Sequence, residues 1–296
     1  MSKLKHILHF IANTGWFIGG IAAVIAFYSL KKFAFDIVKV NNRDMEGTYS
    51  FNDAVFLKKI SNEYKVGDVV YFEYPIRDTL GSQTFFIQRI FGLPGDSISI
   101  SDKVVFINRK AAIEPIDIKF NYFVKSKKLI LDSSFLARYG LKEGGKISDS
   151  FDYSYALTKA QSDTLRKDSL ISYVQVKLEK KNAYDETCFP GDQHFKWNMD
   201  QYGVVYVPRK NDTLHLDTIN IKLYSNLIIE SEKNNLQVKH DSIFINGTLT
   251  RSYVFKKNYF FLLGDNRDNA NDSRIWGFLP ENNLIGKVVH TIRKAE

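Results

Sequence analysis

The hydrophobic pattern divides the chain into one long apolar run near its start and many short apolar stretches after it. Residues 7–30 contain no Lys, Arg, Asp or Glu, and a run of this length can cross a hydrocarbon core about 30 Å thick. A cleaved secretory signal would have a shorter apolar region and a small-residue exit site, whereas Lys31 and Lys32 follow here. We therefore predict a short tail at 1–6 and one transmembrane helix at 7–30.

The charges that flank this predicted helix do not assign its orientation. Lys3 and Lys5 precede the apolar run and two lysines follow it. Because positive charge lies at both ends, the positive-inside rule gives no direction. The side of the membrane on which the rest of the chain lies must be inferred from another source.

The remainder of the chain has the spacing of β-strands. Short apolar stretches such as 54–57 and 69–72 are separated by turn residues, and this pattern is typical of strands. Aromatic residues make up 14% of the chain, which also favours strands. The sequence therefore predicts a mainly β fold.

Two segments resemble each other, and each predicts a β-hairpin. Residues 98–108 and 236–246 both end in a Val or Ile followed by Phe-Ile-Asn. Their turns are expected at Asp102–Lys103 and His240–Asp241. An ancient internal duplication and the convergence of two ordinary hairpins both explain this likeness.

The middle of the chain has the pattern of an insertion between two halves of one sheet core. Between 108 and 239 the strand-like spacing is interrupted by a polar stretch at 142–167, and residues 154–167 favour a short helix. We predict that 31–107 and 240–296 form the sheet core. The segment 108–239 would then form a cap domain.

Composition limits the classes of ligand and cofactor. The net charge is +8, but the basic residues are scattered singly or in short pairs. This pattern does not predict nucleic-acid binding, and attraction to anionic lipid headgroups explains the basic excess in an anchored protein. Cys188 is the only cysteine, and the six histidines lack a recognisable ligand spacing. We therefore expect no intramolecular disulfide, no metal site and no cofactor.

Three motifs resemble those of the type I signal peptidases. The most specific is Gly264–Gly277, GDNRDNANDSRIWG, which is similar to that family's last signature box, GDNRDNSxDSRxWG. Residues 86–96, FIQRIFGLPGD, resemble its YxKRxxGLPGD box, and residues 44–48, DMEGT, resemble its nucleophile box, SMxPT. Shorter likenesses at 66–70 and 197–203 extend the match, the second of them to the longer Bacteroidota-type members.

The resemblance covers about Phe33 to Val289 and implies both a fold and a location. Family members have a largely β catalytic core, here expected with an inserted cap domain. Their protease domain lies outside the cytoplasmic membrane, so we expect a single-pass anchor in the bacterial inner membrane and the large domain in the periplasm. Lys3 and Lys5 would remain in the cytoplasm. The implied partners are secreted or membrane-protein segments and the envelope secretion machinery.

The catalytic groups of that family are absent from the matching positions. In the family, a serine hydroxyl attacks the peptide carbonyl after a neutral lysine removes its proton. The serine position holds Asp44 and the lysine position holds Gln88. A serine that orients the lysine falls on Ala270, and a serine that donates to the oxyanion falls on Asn42. A carboxylate is a weak nucleophile toward an amide, and a carboxamide is no base near neutral pH.

The family positions around these substitutions persist. The resemblance implies one ion pair between Arg89 and Asp265 and another between Asp272 and Arg274. All four residues are present. We expect them to hold the loop of the last box against the sheet rather than to take part in chemistry.

Three functions fit this combination of lost and retained residues. The leading hypothesis is a non-catalytic homologue that binds extended peptide segments or acts as a subunit of an envelope secretion or assembly complex. Met45 and Ile87 are the candidate residues of its substrate groove. The second hypothesis is an active endopeptidase in which Asp44 serves as a general base for water. The third is a purely structural anchored module.

Overall fold

A seven-stranded antiparallel sheet brings together the segments that carry the three motifs. The computed structural model describes residues 16, 18–25, 28, 34–59, 63–76, 83–127 and 130–292. In their order across the sheet, the strands are β1 (Phe35–Lys39), β2 (Ala54–Lys58), β20 (Leu284–Ile292), β3 (Val69–Glu73), β4 (Phe85–Gly92), β18 (Tyr259–Leu263) and β19 (Leu279–Pro280).

Hydrophobic clusters cover both faces of this sheet. Successive side chains of a strand point to opposite faces, and on β3 Val69 packs into one cluster while Val70 and Phe72 pack into another. On β4, Ile87 joins the first cluster and Ile90 joins the second. The central strands are therefore buried on both faces, which explains their nearly continuous apolar sequence.

Four smaller antiparallel sheets contain the remaining strands of the described residues. One has the order β12-β5-β6-β7 and consists of β5 (Ser97–Ser101), β6 (Val104–Ile107), β7 (Lys110–Ala111) and β12 (Tyr202–Tyr206). Another has the order β11-β8-β10-β9 and consists of β8 (Lys119–Ser126), β9 (Gly144–Lys146), β10 (Asp152–Thr158) and β11 (Ile171–Val176). The last two pair β13 (Thr213–His215) with β17 (Ser252–Val254), and β14 (Leu236–Lys239), β15 (Ser242–Ile245) and β16 (Thr248–Thr250) in that order.

Helices in the large domain are short. They are α1 (Ser133–Tyr139), α2 (Lys159–Leu165), α3 (Ile221–Asn226), which continues into a π-helical turn (Leu227–Ser231), α4 (Ser273–Trp276) and a 3-10 turn (Glu281–Asn283). The mainly β fold predicted from the sequence is confirmed.

Both predicted hairpins are present. β5 and β6 turn at Asp102–Lys103, and β14 and β15 turn at His240–Asp241. Asn108 and Asn246 close the two hairpins in the same way, since the side chain of each accepts a 2.9 Å hydrogen bond from the backbone N–H of the residue eleven positions earlier. The shared closure adds a structural likeness to the sequence repeat.

The helix predicted at 154–167 is wrong in its first part. Residues 152–158 form β10, and the helix begins only at Lys159. Tyr153, Tyr155 and Leu157, which are every second residue of this segment, are buried in the hydrophobic cluster of the β8–β11 sheet. Burial with a period of two is typical of a strand, which explains why the segment is not helical. Thr158 then starts the helix with a capping box.

The predicted boundaries of the cap domain cross three sheets, one of them through the pairing of β14 with β15. β12, which lies in the segment 108–239, pairs with β5 of the predicted core. β13 of the same segment pairs with β17. The sheet β8–β11 and its helices form a separate hydrophobic cluster. The division into core and cap therefore stays a prediction. Its boundaries at 107/108 and 239/240 separate strands that pair in the same sheet.

The predicted transmembrane helix lies largely outside the described residues. Within 7–30, residues 18–25 are helical. No helix in the described ranges is both long and apolar enough to cross a membrane.

A buried lysine at the tip of the β5–β6 hairpin ties the hairpin to the last box. The ammonium of Lys103 lies 2.6 Å from a carboxylate oxygen of Asp200 and 2.7 Å from one of Asp268. Lys103 is 8% exposed and has a positive φ of 70°, a conformation that is unfavourable for a residue with a side chain. These ion pairs offset that strain and fix the hairpin against the 264–277 loop.

Replacing Lys103 with Met is expected to lower the free energy of unfolding by about 3 kcal/mol, because it leaves two nearly buried carboxylates without their cation. Urea unfolding of the purified chain measures this difference. The matched control is Lys181→Met, which removes an exposed pair with Asp102 and should change the free energy by less than about 1 kcal/mol. Equal effects of the two substitutions would show that the buried cluster does not stabilise the fold.

Candidate functional site

The three family-like motifs meet where the turn after β1, the strand β4 and the 264–277 loop pack together. The backbone N–H of Asn266 donates to the carbonyl of Asp44 at 2.8 Å. Gly264 makes the close approach possible, because a Cβ at this position would lie 2.5 Å from the Asp44 carbonyl oxygen and would overlap Ala270. The local backbone therefore requires glycine at Gly264, whether or not the site is catalytic.

Asp44 and Gln88 are in direct contact at the centre of this junction. Nε2 of Gln88 donates to Oδ2 of Asp44 at 2.8 Å and to the carbonyl of Asn271 at 2.8 Å. The backbone N–H of Asn271 donates in turn to Oδ1 of Asp44 at 3.4 Å. Asp44 is 6% exposed and Gln88 is fully buried. The two substituted positions thus form one closed hydrogen-bonded unit.

Burial controls the ionisation of Asp44. It raises the pKa of this carboxyl group from 3.8 to about 6, against the smaller opposing effect of the hydrogen bonds from Gln88 and Asn271. The nearby charge of Asp272 raises the pKa further. Asp44 therefore titrates close to neutral pH, in the range useful for an acid or a base.

Gln88 cannot replace a general-base lysine. The lone pair of its amide nitrogen is delocalised into the carbonyl and does not accept a proton, and both of its N–H groups are already donated. Its Oε1 atom is buried and has no hydrogen-bond partner among the residues that the structure describes. The amide therefore links Asp44 to Asn271 and leaves one unsatisfied acceptor beside them.

The other two substituted positions also lie at this junction. Ala270 is buried against Gly264. Nδ2 of Asn42 donates to Oδ2 of Asp44 at 3.2 Å, and its Oδ1 accepts from the Asp44 backbone N–H at 3.3 Å. Asn42 is thus engaged with Asp44 itself, so its amide is not directed at an oxyanion.

Both ion pairs implied by the resemblance are formed. Nε and Nη2 of Arg89 donate to the two carboxylate oxygens of Asp265 at 2.9 and 2.5 Å. Nε and Nη2 of Arg274 donate to those of Asp272 at 2.9 and 2.7 Å. Asp265 also accepts from the hydroxyl of Thr48 at 2.5 Å. These forked contacts join the turn, β4 and the loop.

The two groove candidates are inaccessible in this structure. Met45 and Ile87 are 0% and 1% exposed and belong to the same hydrophobic cluster. An extended peptide would reach either side chain only after the turn or the sheet had moved.

The turn after β1 departs from that of the family at Gly47, where the nucleophile box has proline. Gly47 has a φ of +111°, whereas the proline ring fixes φ near −65°. A Cβ at Gly47 would also overlap the carbonyl of Asp117. The local backbone therefore excludes the family's proline.

Sequence reasoning missed two contributors to the site. Asn271 supplies both a donor and an acceptor to the Asp44–Gln88 unit, although the family box allows any residue there. Lys103 fixes the 264–277 loop from a distant hairpin through Asp200 and Asp268. The only signal in the sequence was that both aspartates lie in motifs.

A polar cleft of about 670 Å³ lies elsewhere, between the β8–β11 sheet, the 177–200 segment and the 264–277 loop. Lys103, Tyr184, Asp200 and Asp268 are among the residues that line it. None of its lining residues hydrogen-bonds to the side chain of Asp44 or Gln88. In the part of the chain that the structure describes, no group of His, Cys, Asp and Glu residues could hold a metal ion.

The fold and site define a mainly β protein built on a peptidase framework. The family described as signal peptidase, peptidase S26, matches residues 13–137 and 206–292, which together make up more than half of the chain. The chain belongs to this signal peptidase family. The unmatched residues 138–205 lie within the segment predicted as a cap.

Several curated signal peptidases are similar to most of the chain. Signal peptidase I of Buchnera aphidicola subsp. Baizongia pistaciae is 26% identical over 265 residues, which cover 88% of this chain and 65% of the relative. Signal peptidase I of Buchnera aphidicola subsp. Schizaphis graminum is 26% identical over 275 residues, which cover 88% of this chain and 68% of the relative. Signal peptidase I of Helicobacter pylori is 25% identical over 254 residues, which cover 83% of this chain and 71% of the relative. The chain thus spans about two thirds of the length of these relatives.

Asp44→Asn is expected to raise the free energy of unfolding by about 1–3 kcal/mol at pH 8. Because the folded-state pKa lies above the ordinary value, the carboxylate of Asp44 destabilises the fold above pH 6. As the pH falls the group takes up a proton in the folded state first, so this penalty shrinks and vanishes below the unfolded pKa.

Urea unfolding of both chains at alkaline and acidic pH measures this difference. The control is Asp149→Asn, since Asp149 is fully exposed and its substitution should have no comparable pH-dependent effect. A stability gain in Asp44→Asn that is the same at both pH values would contradict the assignment to the buried charge.

Proposed function

We propose that this chain is a membrane-anchored, non-catalytic member of the signal peptidase family that binds extended peptide segments. The contact between Asp44 and Gln88 carries this proposal, because both side chains are buried and hydrogen-bonded to each other. The family reaction requires a hydroxyl beside a neutral amine. The Asp44 carboxylate, hydrogen-bonded to the Gln88 carboxamide, supplies neither a hydroxyl nor a neutral amine.

The retained framework supports a role that needs the fold but not the reaction. The two forked ion pairs, Arg89–Asp265 and Asp272–Arg274, are intact. The nucleophile, the base and the helper serine are all replaced, by Asp44, Gln88 and Ala270. Loss of the reacting groups together with retention of both ion pairs is what a binding function without cleavage predicts.

The edge strand β1 supports peptide binding. One side of β1 pairs with β2, and its other side has no strand partner among the described residues. An extended peptide can add to such an edge through main-chain hydrogen bonds, without a nucleophile. β1 leads directly into the turn that holds Asp44, and Ile37 on this strand is 56% exposed. The Ile37 side chain is accessible, whereas those of Met45 and Ile87 are buried.

The proposed location is the bacterial inner membrane, with one N-terminal helix as the anchor and the large domain in the periplasm. The apolar run at 7–30 supports an anchor, and within it Ile18, Ile21 and Ile25 of the helical stretch are exposed. Apolar side chains on the surface of a helix favour contact with lipid. Family membership supports the orientation. The same location suits a subunit of an envelope secretion or assembly complex, which co-purification from membranes would identify.

An active endopeptidase with altered chemistry is the second candidate. The pKa of Asp44, raised to about 6 by burial, favours this reading because such a carboxylate can act as a general base near neutral pH. The neighbouring carboxylate of Asp272 is committed to Arg274, so a pair of carboxyl groups sharing one proton is less well supported.

The combined substitution of Asp44→Ser, Gln88→Lys and Ala270→Ser is expected to produce measurable cleavage of a preprotein that bears a signal peptide. It restores the nucleophile, the base and the helper hydroxyl in the retained framework. Gel analysis of the preprotein measures cleavage, with Asp44→Ser alone as the inactive control. A folded triple variant that remains at background would show that the substrate-binding surface has diverged as well.

A photoreactive residue at Ile37 is expected to crosslink to an added preprotein, because the peptide would pair with the side of β1 that has no strand partner among the described residues. The matched control carries the same residue at Tyr173, an exposed position on the edge strand β11 of another sheet. Equal crosslinking at both positions, or none at Ile37, would contradict peptide binding at β1.

A further inference from the structure

One carboxyl group is buried in the junction without a positive charge facing it. The side-chain carboxylate of Asp44 accepts hydrogen bonds from three neutral groups, those of Asn42, Gln88 and Asn271. It forms no ion pair within the part of the chain that the structure describes. A buried charge without a partner is unfavourable. Closed packing of the junction therefore favours the neutral form of Asp44.

The charged groups on the segments that form this junction do not neutralise the carboxyl group. Asp272 is itself negative and is held by Arg274. Arg89 is engaged by Asp265. On the β3 side, Tyr74 is a neutral phenol that accepts a 3.3 Å hydrogen bond from the Asn271 side chain. In the described ranges, a proton is therefore the remaining means of removing the charge without opening the junction.

Gln88 provides the acceptor that a protonated carboxyl group needs. Its Oε1 is buried and has no hydrogen-bond partner within the described ranges. Half a turn about the last side-chain bond exchanges Oε1 with Nε2. Oε1 would then accept the new O–H of Asp44. The carbonyl of Asn271 would lose the Gln88 bond but keep the 3.0 Å bond from Nε1 of Trp276. This half turn replaces the two hydrogen bonds that Nε2 donates, to Asp44 and to the Asn271 carbonyl, by the one that Oε1 accepts from protonated Asp44.

We propose that Asp44 acts as a proton-operated latch between the turn after β1 and the 264–277 loop. When Asp44 is protonated, the loop stays packed on the turn, through contacts that include the bond from the Asn266 N–H to the Asp44 carbonyl. When Asp44 is ionised, opening of the loop is favoured because water then reaches the carboxylate.

The pH at which the latch acts follows from the burial of this group. The pKa of Asp44 in the closed arrangement is raised to about 6, and exposure to water on opening returns it toward its ordinary value of 3.8. The proton therefore binds more tightly to the closed arrangement. Closing is favoured as the pH falls through 6, and opening is favoured as it rises. This inference does not depend on peptide binding at β1.

Hydrogen exchange of the full-length chain in detergent micelles tests the latch. The opening constants of the Asn266 and Asn271 amides, corrected for intrinsic exchange, are expected to rise about tenfold or more from pH 5 to pH 7.5. In Asp44→Asn, which cannot ionise, they should not change with pH. Asp149→Asn alters an exposed carboxylate and should behave like the unaltered chain.

Two results would overturn the latch. One is opening that is independent of pH in the unaltered chain, and the other is the same rise with pH in Asp44→Asn. The carboxyl carbon shift of Asp44 in the unaltered chain provides a measurement that needs no variant. A titration midpoint near 6 supports the latch, and a midpoint at the ordinary value of 3.8 contradicts it.

Discussion

The hydrogen bonds of one side-chain amide hold the candidate site together. Gln88 projects from β4 and joins the carboxylate of Asp44, on the turn after β1, to the backbone of Asn271, in the 264–277 loop. In the family, the motifs that match the turn and β4 carry the nucleophile and the base. Here the amide replaces a reactive amine by a fixed link. Under the proposed function, this junction stays packed without the groups of the family's reaction.

The residues around this link explain why the junction keeps its shape. The forked ion pairs of Arg89 and Arg274 are buried or nearly so, and removing one partner of a buried pair is strongly destabilising. Gly264 is fixed by the close approach of two backbones. Such positions constrain folding whether or not the protein cleaves anything. Their presence is therefore no sign of catalysis, whereas the buried carboxylate of Asp44, which stands at the family's serine position, lowers stability and calls for a functional explanation.

Local sequence patterns predicted much of the fold, whereas the position of the site was predicted from the motifs. Alternation and turn residues predicted the hairpin at Asp102–Lys103 because its determinants lie within a few residues. Local propensity failed at 152–158, where burial against β8 imposes strand geometry. The contacts of Gln88 with Asn271 and of Lys103 with Asp200 join residues far apart in sequence. No local pattern contains such contacts, and the burial that raises the pKa of Asp44 exists only in the folded chain.

The central claim is that the Asp44–Gln88 unit does not cleave peptide bonds. Its most direct test is to incubate the purified chain and its Asp44→Ala variant with a signal-peptide-bearing preprotein on both sides of neutral pH, and to identify products by mass spectrometry. The claim predicts the same background for both chains at every pH. Site-specific cleavage by the unaltered chain that disappears in Asp44→Ala would contradict it.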